Sequence, residues 1–319
     1  MKIKKSFMSI IKRTLSCSVM KDSIDIILPV YNGEDYISES IESILNQTFS
    51  HFNLIVINDG STDNTKLILE RLKSADDRIQ VINKDNEGLI ATLNLGISLS
   101  RAKYLVRMDH DDILAPNKLE MQINYMKRHE NIDVLGCNAV LIDSVGEKVG
   151  SISFPVTPLA VKAKSFVRVP VLHPSVMIKV SDKIRPFLYY DESQLYCEDF
   201  GLWLRLLDNG FCITNLKEKL MYYRVHNSSV SSTRKKDMQY NACKIIESAM
   251  KNMGVKLGGN DWESFKILRN KELEKNVTLM SFLSLLMSFG SNTSFLFKVF
   301  IKKELIELFF KFKIKRVLK

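Results

Sequence analysis

The chain has 319 residues, of which 45% are hydrophobic and 26% charged, and its formal net charge is +10. This length suits one large domain with appendages and a sizeable core, and the composition excludes a largely disordered chain. The five cysteines are scattered without a Cys-x-x-Cys pair, which argues against a zinc site or a disulfide framework and favours a reducing compartment.

The positive charge is concentrated at the two ends. Residues 1–21 carry six Lys/Arg and no acid, residues 291–319 carry eight Lys/Arg and two Glu, and the part between has a net charge of −2. A nearly neutral body argues against a nucleic-acid groove, so no nucleic-acid partner is expected. Basic ends are typical of contact with an anionic membrane surface; two solvated tails are the alternative. Lys12 and Arg13 interrupt the first apolar stretch, so a signal peptide is not predicted.

Strand-like and helix-like runs alternate from residue 23 to about residue 141. Strands are predicted at 24–30, 52–57, 79–82 and 103–108, and helices at 34–47, 65–72 and 88–99. Strands separated by helices of this length indicate βαβ units, and continuous apolar runs indicate strands covered on both faces. The fold class predicted is α/β with a mostly parallel sheet.

The second part of the chain, about 132–230, is less regular. Short strands are predicted at 134–142, 169–178 and 220–225, with one strong helix at 199–208, and residues after about 235 are predicted to be helical. Residues 276–297 carry no charge but are too polar for a confident transmembrane span. Residues 295–318 follow an amphipathic plan, which favours a helix in the membrane interface; a helix docked on the body is the alternative.

Three carboxylates follow the predicted strand at 103–108. Asp109, Asp111 and Asp112 stand where an open α/β sheet builds its ligand crevice. Because such closely spaced carboxylates repel one another, a divalent metal with oxygen ligands, itself holding a phosphate, is a natural partner. The alternative is a polar loop that caps a helix starting near Asn117.

A further motif follows the predicted strand at 52–57. In Asn58-Asp59-Gly60-Ser61, Gly60 permits a tight turn and Asp59 can accept hydrogen bonds from a ring N–H or a ribose hydroxyl; an Asx-turn is the alternative. The first strand–helix turn lacks a Gly-x-Gly-x-x-Gly, which disfavours NAD or FAD, and no P-loop is present.

Glu198 and Asp199 open the predicted helix at 199–208. Acidic residues in a first helical turn are stabilised by the helix dipole, so capping is one interpretation. The other is a general base that removes a hydroxyl proton during group transfer.

In this order, Pro-Val-Tyr-Asn at 29–32, Asn-Asp-Gly-Ser at 58–61, Asp-His-Asp-Asp at 109–112 and Glu-Asp at 198–199 resemble the family 2 glycosyltransferases of the GT-A fold. The resemblance covers roughly residues 23–230. It implies a GT-A domain at 23–230 with a nucleotide-binding half (about 23–131) and an acceptor half (about 132–230). Charge and pattern add a basic tail at 1–22 and a helical C-terminal region at 231–319 with a basic amphipathic end.

The same resemblance implies roles for individual residues. The nucleoside pocket would be lined by Pro29, Tyr31 and Asp59. Within the Asp-x-Asp element, Asp111 would bind Mn²⁺ or Mg²⁺ and Asp109 would lie near the ribose, with Asp112 structural. The base would be Asp199. In Tyr223-Arg-Val-His226, the His or the Arg would approach the diphosphate; by itself, His226 is more typical of a strand-end histidine than of a ligand.

Two segments bear on how far the resemblance reaches. Many members carry Ala-Arg-Asn where this chain has Thr92-Leu93-Asn94, so a basic nucleotide contact from that helix is in question. The segment His173-Pro174-Ser175 is similar to a loop common in bacterial members.

The resemblance implies an inverting, metal-dependent hexosyltransferase that uses a nucleotide-sugar donor, UDP-linked by family tendency. The acceptor expected is a saccharide or lipid-linked saccharide in surface polysaccharide synthesis, at the inner face of the cell membrane in the cytoplasm. One alternative is a non-catalytic membrane-surface protein that binds nucleotide sugars with a decayed site. A nucleotidyltransferase is disfavoured, because residues 31–35 lack the Gly-rich basic loop that it needs.

Overall fold

The computed structural model describes residues 22–226, 234–252, 257–270, 277–278, 281, 285 and 301–311. The first half alternates strands and helices as predicted: β1 Ile24–Val30, α1 Ile37–Leu45, β2 Phe52–Asp59, α2 Thr65–Ala75, β3 Ile79–Lys84, α3 Leu89–Leu99 and β4 Tyr104–Arg107. Every residue of β1 and β4 is buried, as expected for central strands with helices on both faces.

The second half contains more elements than the sequence predicted. These are β5 Ile113–Leu114, α4 Lys118–Arg128, β6 Val134–Ile142, β7 Lys148–Ile152, α5 Pro158–Ser165, β8 Met177–Lys179, α6 Glu198–Asp208 and β9 Ile213–Arg224, with 3-10 turns at His173–Ser175, Arg185–Phe187 and Glu192–Gln194.

Two predicted strands in this half have the wrong extent. The strand predicted at 169–178 is wrong for most of its length, because only Met177–Lys179 pairs and Pro170 and Pro174 cannot donate to a ladder. The run at 220–225 is the end of a longer strand that begins at Ile213.

The strands join in one sheet of order β3-β2-β1-β4-β8-β6-β9-β5, with β7 on β6. β1 pairs in parallel with β2 on one side and with β4 on the other. The chain therefore adds β2 and β3 on one side of β1 and then crosses over to add β4 on the other side. This is the topological switch point at which open α/β sheets bind ligands. The strands β8, β5 and β7 pair antiparallel with their neighbours, which makes the sheet mixed on the far side of β4.

The C-terminal helices pack on the body. They are α7 Lys235–Asn252, α8 Gly259–Asn270 and a helical segment at 301–311, and they share one apolar cluster with α6 and the end of α5. In segment 301–311, Ile301, Leu305 and Leu308 are at most 4% exposed, and Lys164 forms a 2.7 Å ion pair with Glu304.

In this packing, the described residues 301–311 match the docked alternative to an interfacial helix at 295–318, and contact of their exposed side with a membrane stays a prediction. Their main apolar face is buried against protein, as the docked alternative predicted. Residues 1–21, and most of 276–297, lie outside the described residues. Among the described helices, none combines the length and the apolar character that a membrane span requires.

Candidate active site

The loops that follow β1 and β2 interlock at the carboxyl edge of the sheet. Asn32 N–H donates to Ser61 Oγ at 3.0 Å, and Gly33 N–H donates to Thr65 Oγ1 at 2.9 Å. Gly33 also lies under the acid turn, since a Cβ at this position would stand 2.6 Å from His110 Cδ2. The absence of a side chain at residue 33 therefore lets the loop after β4 close over the end of β1.

The two residues predicted to line a nucleoside pocket in this region differ in exposure. Pro29 is buried within β1 opposite Ile57, so it shapes the strand end from inside. Tyr31 is 48% exposed at the start of the loop, where its ring is accessible to a ligand.

Asp59 lies at the end of β2 with its carboxylate largely occupied. Its Oδ1 accepts from Lys84 Nζ at 2.5 Å and from Glu87 N–H at 3.0 Å, and its Oδ2 accepts from Gly88 N–H at 2.9 Å. These donors lower the pKa of Asp59 in spite of its burial. Asp59 thus fixes the loop that leads into α3.

The segment Thr92-Leu93-Asn94 lies on α3 and contributes no cation here. Leu93 is 1% exposed in the core, whereas Asn94 forms two hydrogen bonds to the backbone of Tyr190, at 2.7 and 2.8 Å. In turn, the Tyr190 hydroxyl lies 2.7 Å from His173 Nε2. His173, predicted as part of a loop, is therefore buried, and it supports Tyr190 beneath the site.

The acid turn consists of Asp109, Asp111 and Asp112, each of which offers one carboxylate oxygen within 4.8 Å of the others. Arg107 binds Asp109 through both terminal nitrogens, with Nη1–Oδ2 and Nη2–Oδ1 distances of 2.5 Å. Burial raises the pKa of Asp109, while the Arg107 guanidinium opposes that rise.

Asp111 and His226 meet at the same turn. Asp111 Oδ2 lies 2.9 Å from His226 Nε2, although the two residues are 115 positions apart in the chain. The Asp111 side chain is 20% exposed and that of His226 is 18% exposed. The structure therefore brings together the predicted metal ligand and the predicted diphosphate contact.

Asp112 is held from the other side by Arg224 at the end of β9. Its Oδ1 accepts from Arg224 N–H at 2.9 Å, and Asp112 is 1% exposed. The Arg224 guanidinium donates to Asp111 O at 2.8 Å and to Glu39 Oε2 at 2.6 Å. Burial and its two acidic neighbours raise the pKa of Asp112 well above its ordinary value.

Arg107 was not among the predicted site residues, and Arg224 entered only as the alternative to His226 at the diphosphate. Each is the buried last residue of a strand, and a charged side chain is seldom buried unless it is paired. That rule, applied to the strand at 103–108, could have indicated that Arg107 has an acidic partner nearby.

Glu198 and Asp199 form the first turn of α6. Phe200 N–H donates to Asp199 Oδ1 at 2.6 Å, so this carboxylate also caps the helix. Burial raises the pKa of Asp199 to about 6 and that of Glu198 to about 7. The charges of Arg107 and Asp109 also act on Asp199, the guanidinium lowering its pKa and the carboxylate raising it. A carboxylate with a pKa in this range, lying in a cleft, is suited to proton transfer near neutral pH.

The residues at the acid turn fit a divalent cation. Carboxylate oxygens suit Mg²⁺ and Mn²⁺, and three acids converge here. Because both Asp109 oxygens are bound by Arg107 and Asp112 is nearly inaccessible, Asp111 offers the most available ligand, with His226 beside it.

The sequence of the chain is similar to that of a known family and of several known proteins. Residues 25–182 match the model of the family described as Glycosyl transferase family 2. An uncharacterized glycosyltransferase of Haemophilus influenzae is 33% identical over 231 residues, covering 70% of this chain and 71% of that relative. Another, from Methanocaldococcus jannaschii, is 31% identical over 240 residues, covering 73% and 81%. The chain belongs to glycosyltransferase family 2.

Solved structures identify the fold as the GT-A type predicted. Staphylococcus aureus TarS in complex with UDP-GlcNAc matches with a TM-score of 0.62 and 19% identity, over 90% of this chain and 84% of that one. The mannosyltransferase PcManGT of Pyrobaculum calidifontis, in complex with GDP-Man and Mn²⁺, matches with a TM-score of 0.56 and 12% identity, over 96% and 93%.

Proposed function

We propose that this family 2 glycosyltransferase transfers a sugar from a nucleoside-diphosphate donor, UDP-linked in the first instance, to a hydroxyl group with inversion at the anomeric carbon. The observation that carries the proposal is the Asp199 carboxylate in the first turn of α6, whose pKa is raised to about 6 and which is subject to the charges of Arg107 and Asp109. We infer that the base and the acid turn serve one site.

The donor would occupy the carboxyl edge of the sheet. Tyr31 and Pro29 would contact the nucleobase of the donor. Asp59 would accept a hydrogen bond from the nucleoside, and Asp109 would lie near the ribose. Asp111 would hold Mn²⁺ or Mg²⁺, with His226 at the diphosphate. When bound, the cation would supply positive charge for the departing diphosphate.

The transfer step needs one proton acceptor. The acceptor hydroxyl oxygen would bond to the anomeric carbon while the bond from that carbon to the diphosphate oxygen breaks, and the hydroxyl proton would pass to Asp199. The nucleoside diphosphate would leave with the bonding electrons, and attack from the opposite face would invert the anomeric centre.

For the acceptor we propose a saccharide or lipid-linked saccharide of surface polysaccharide synthesis, reached at the cytoplasmic face of the membrane. The basic ends of the chain support an anionic lipid surface as the partner. On segment 301–311, Ile306 and Phe310 are 39% and 59% exposed beside exposed lysines, although the opposite face is buried.

A panel of UDP-, GDP- and dTDP-sugars with Mn²⁺ tests the proposal through release of nucleoside diphosphate. Release from one donor that depends on Asp199 is expected. Tight binding of a donor without release or transfer would instead support the non-catalytic alternative. That alternative is motivated by Leu93, which stands where many members of the family carry an arginine.

A further inference from the structure

Arg107 holds a central place among the acids of the site. It is the last residue of β4, is 5% exposed, and gives both terminal nitrogens to Asp109 at 2.5 Å. A two-bond fork between a guanidinium and a carboxylate fixes both position and orientation, which a single hydrogen bond does not.

The charge of Arg107 reaches beyond Asp109. It acts on Asp112, Glu198 and Asp199, lowering the pKa of each against the effect of burial. His173, which lies beside Tyr190, adds no second positive charge, because burial and the charge of Arg107 lower its pKa well below the ordinary value. Arg224, the other buried arginine at the turn, binds Asp111, Asp112 and Glu39 instead.

We propose that Arg107 is a positioning residue of the transfer reaction: its guanidinium fixes the Asp109 carboxylate at the acid turn and supplies the positive charge that acts on Asp199, the base of the proposed reaction. This inference rests on the proposed function. It adds a requirement that the base alone does not impose, namely that the last residue of β4 carries a cation.

The groups that interact electrostatically or by a hydrogen bond with Asp199 determine its ionisation. They are Arg107 from β4, Asp109 from the acid turn, Glu198 and the Phe200 N–H from α6, and Tyr190 and Cys197 from the segment before α6. Of these, Arg107 is the cation. Its loss should make proton removal by Asp199 possible only at higher pH.

The test compares Arg107→Gln and Arg107→Lys with wild type in pH profiles of kcat and in donor KM, using the full chain and the donor found in the panel. In Arg107→Gln we expect the acid limb to move up by about one pH unit or more, and kcat/KM to fall about 10- to 100-fold. Arg107→Lys keeps the charge but not the fork, so the limb should stay near wild type while donor KM rises. Arg205→Gln is the control, because Arg205 is a partly buried arginine that donates to the backbone carbonyls of Phe187 and Tyr189.

An unmoved acid limb in a folded Arg107→Gln protein overturns the proposal whatever its kcat, since lost turnover alone would fit a purely structural role. If Arg107→Gln does not fold, Arg107→Lys decides: an unchanged donor KM overturns the proposal and a raised one supports it. Wild type that releases no nucleoside diphosphate from any donor would contradict the proposed function instead, so the two failures are distinguishable.

Discussion

At the start of α6, two carboxyl groups stand side by side, and burial disfavours the ionised form of each. Glu198 is 9% exposed, and its pKa is raised to about 7, with Asp199 as a contributor, whereas the pKa of Asp199 is raised to about 6. Because neighbouring carboxyls titrate as a pair, substitution is needed to say which one accepts the proton.

Asp199→Asn should lower turnover by ~10²–10⁴-fold and leave donor affinity nearly unchanged, because an amide cannot accept the proton. Glu198→Gln is the matched control and should keep most of the turnover. Since the base must be ionised, the rate of wild type should rise with pH through about 6. Normal turnover in Asp199→Asn, or its loss in Glu198→Gln alone, would assign the base to the other carboxyl.

Asp111→Ala should abolish the gain in UDP affinity that Mn²⁺ provides, because Asp111 offers the most available carboxylate of the acid turn. Isothermal titration of UDP with and without Mn²⁺ measures this gain, and Glu147→Ala, at an exposed position, serves as control. An equal effect of Mn²⁺ on wild type and on Asp111→Ala would show that the ligand lies elsewhere.

At the scale of elements, the sequence predicted the parts that apolar periodicity controls. The alternation of β1 to β4 with α1 to α3, and the helix α6, follow runs long enough to be read directly. The two-residue strand β5, the polar strand β7 and the short helix α5 were missed, because few of their residues repeat a period.

For the candidate site, the sequence predicted single residues. Asp59, the acid turn and Asp199 were predicted as site residues because they lie at strand ends or open a helix. Contacts between distant segments could not be predicted, such as His226 with Asp111, or Asn94 with Tyr190 across 96 positions. The contact of His226 with Asp111 depends on the register of β9 against β5 and β6, which no local pattern specifies.

The helix α4 contains a buried lysine that gives a stability prediction. Lys118 is fully buried, its ammonium donates to Gln122 Oε1 at 2.9 Å, and burial lowers its pKa to about 8. Below pH 8 the folded protein bears the full cost of the buried charge. From about pH 8 to the ordinary value of 10.5 the unfolded chain binds more protons, so stability rises with pH.

Lys118→Met should therefore stabilise the protein at pH 7 by up to about 3 kcal/mol, less the hydrogen bond lost to Gln122. The gain should shrink as the pH rises above 8. Urea unfolding at pH 7 and pH 9.5 measures it, with Lys66→Met, at an exposed position of α2, as control. A gain that is equal at both pH values would mean that the Lys118 charge is not what destabilises the fold.

For the molecule as a whole, the C-terminal helices belong to the same apolar cluster as α6, the helix that contains Asp199. Removal of residues 291–319 would take Ile301 and Leu305 out of that cluster, so a truncation would confuse membrane binding with stability. Membrane contact is better tested on the exposed side of segment 301–311.

Ile306→Ser with Phe310→Ser should weaken binding to vesicles that contain anionic lipid, while the melting temperature and transfer to a soluble acceptor stay unchanged. Both side chains are exposed and lie one helical turn apart, so they can enter the interface together. Cosedimentation with anionic and with zwitterionic vesicles measures the effect. Wild-type cosedimentation of the double variant would exclude this surface as the anchor.

The central claim is inverting transfer that depends on Asp199. Proton NMR of the first product formed from an anomerically defined donor tests it most directly, because the spectrum reports the configuration before the product can equilibrate. The account predicts the configuration opposite to that of the donor, formed by wild type and nearly absent with Asp199→Asn. A product that retains the donor configuration, or one formed equally fast by Asp199→Asn, would contradict it.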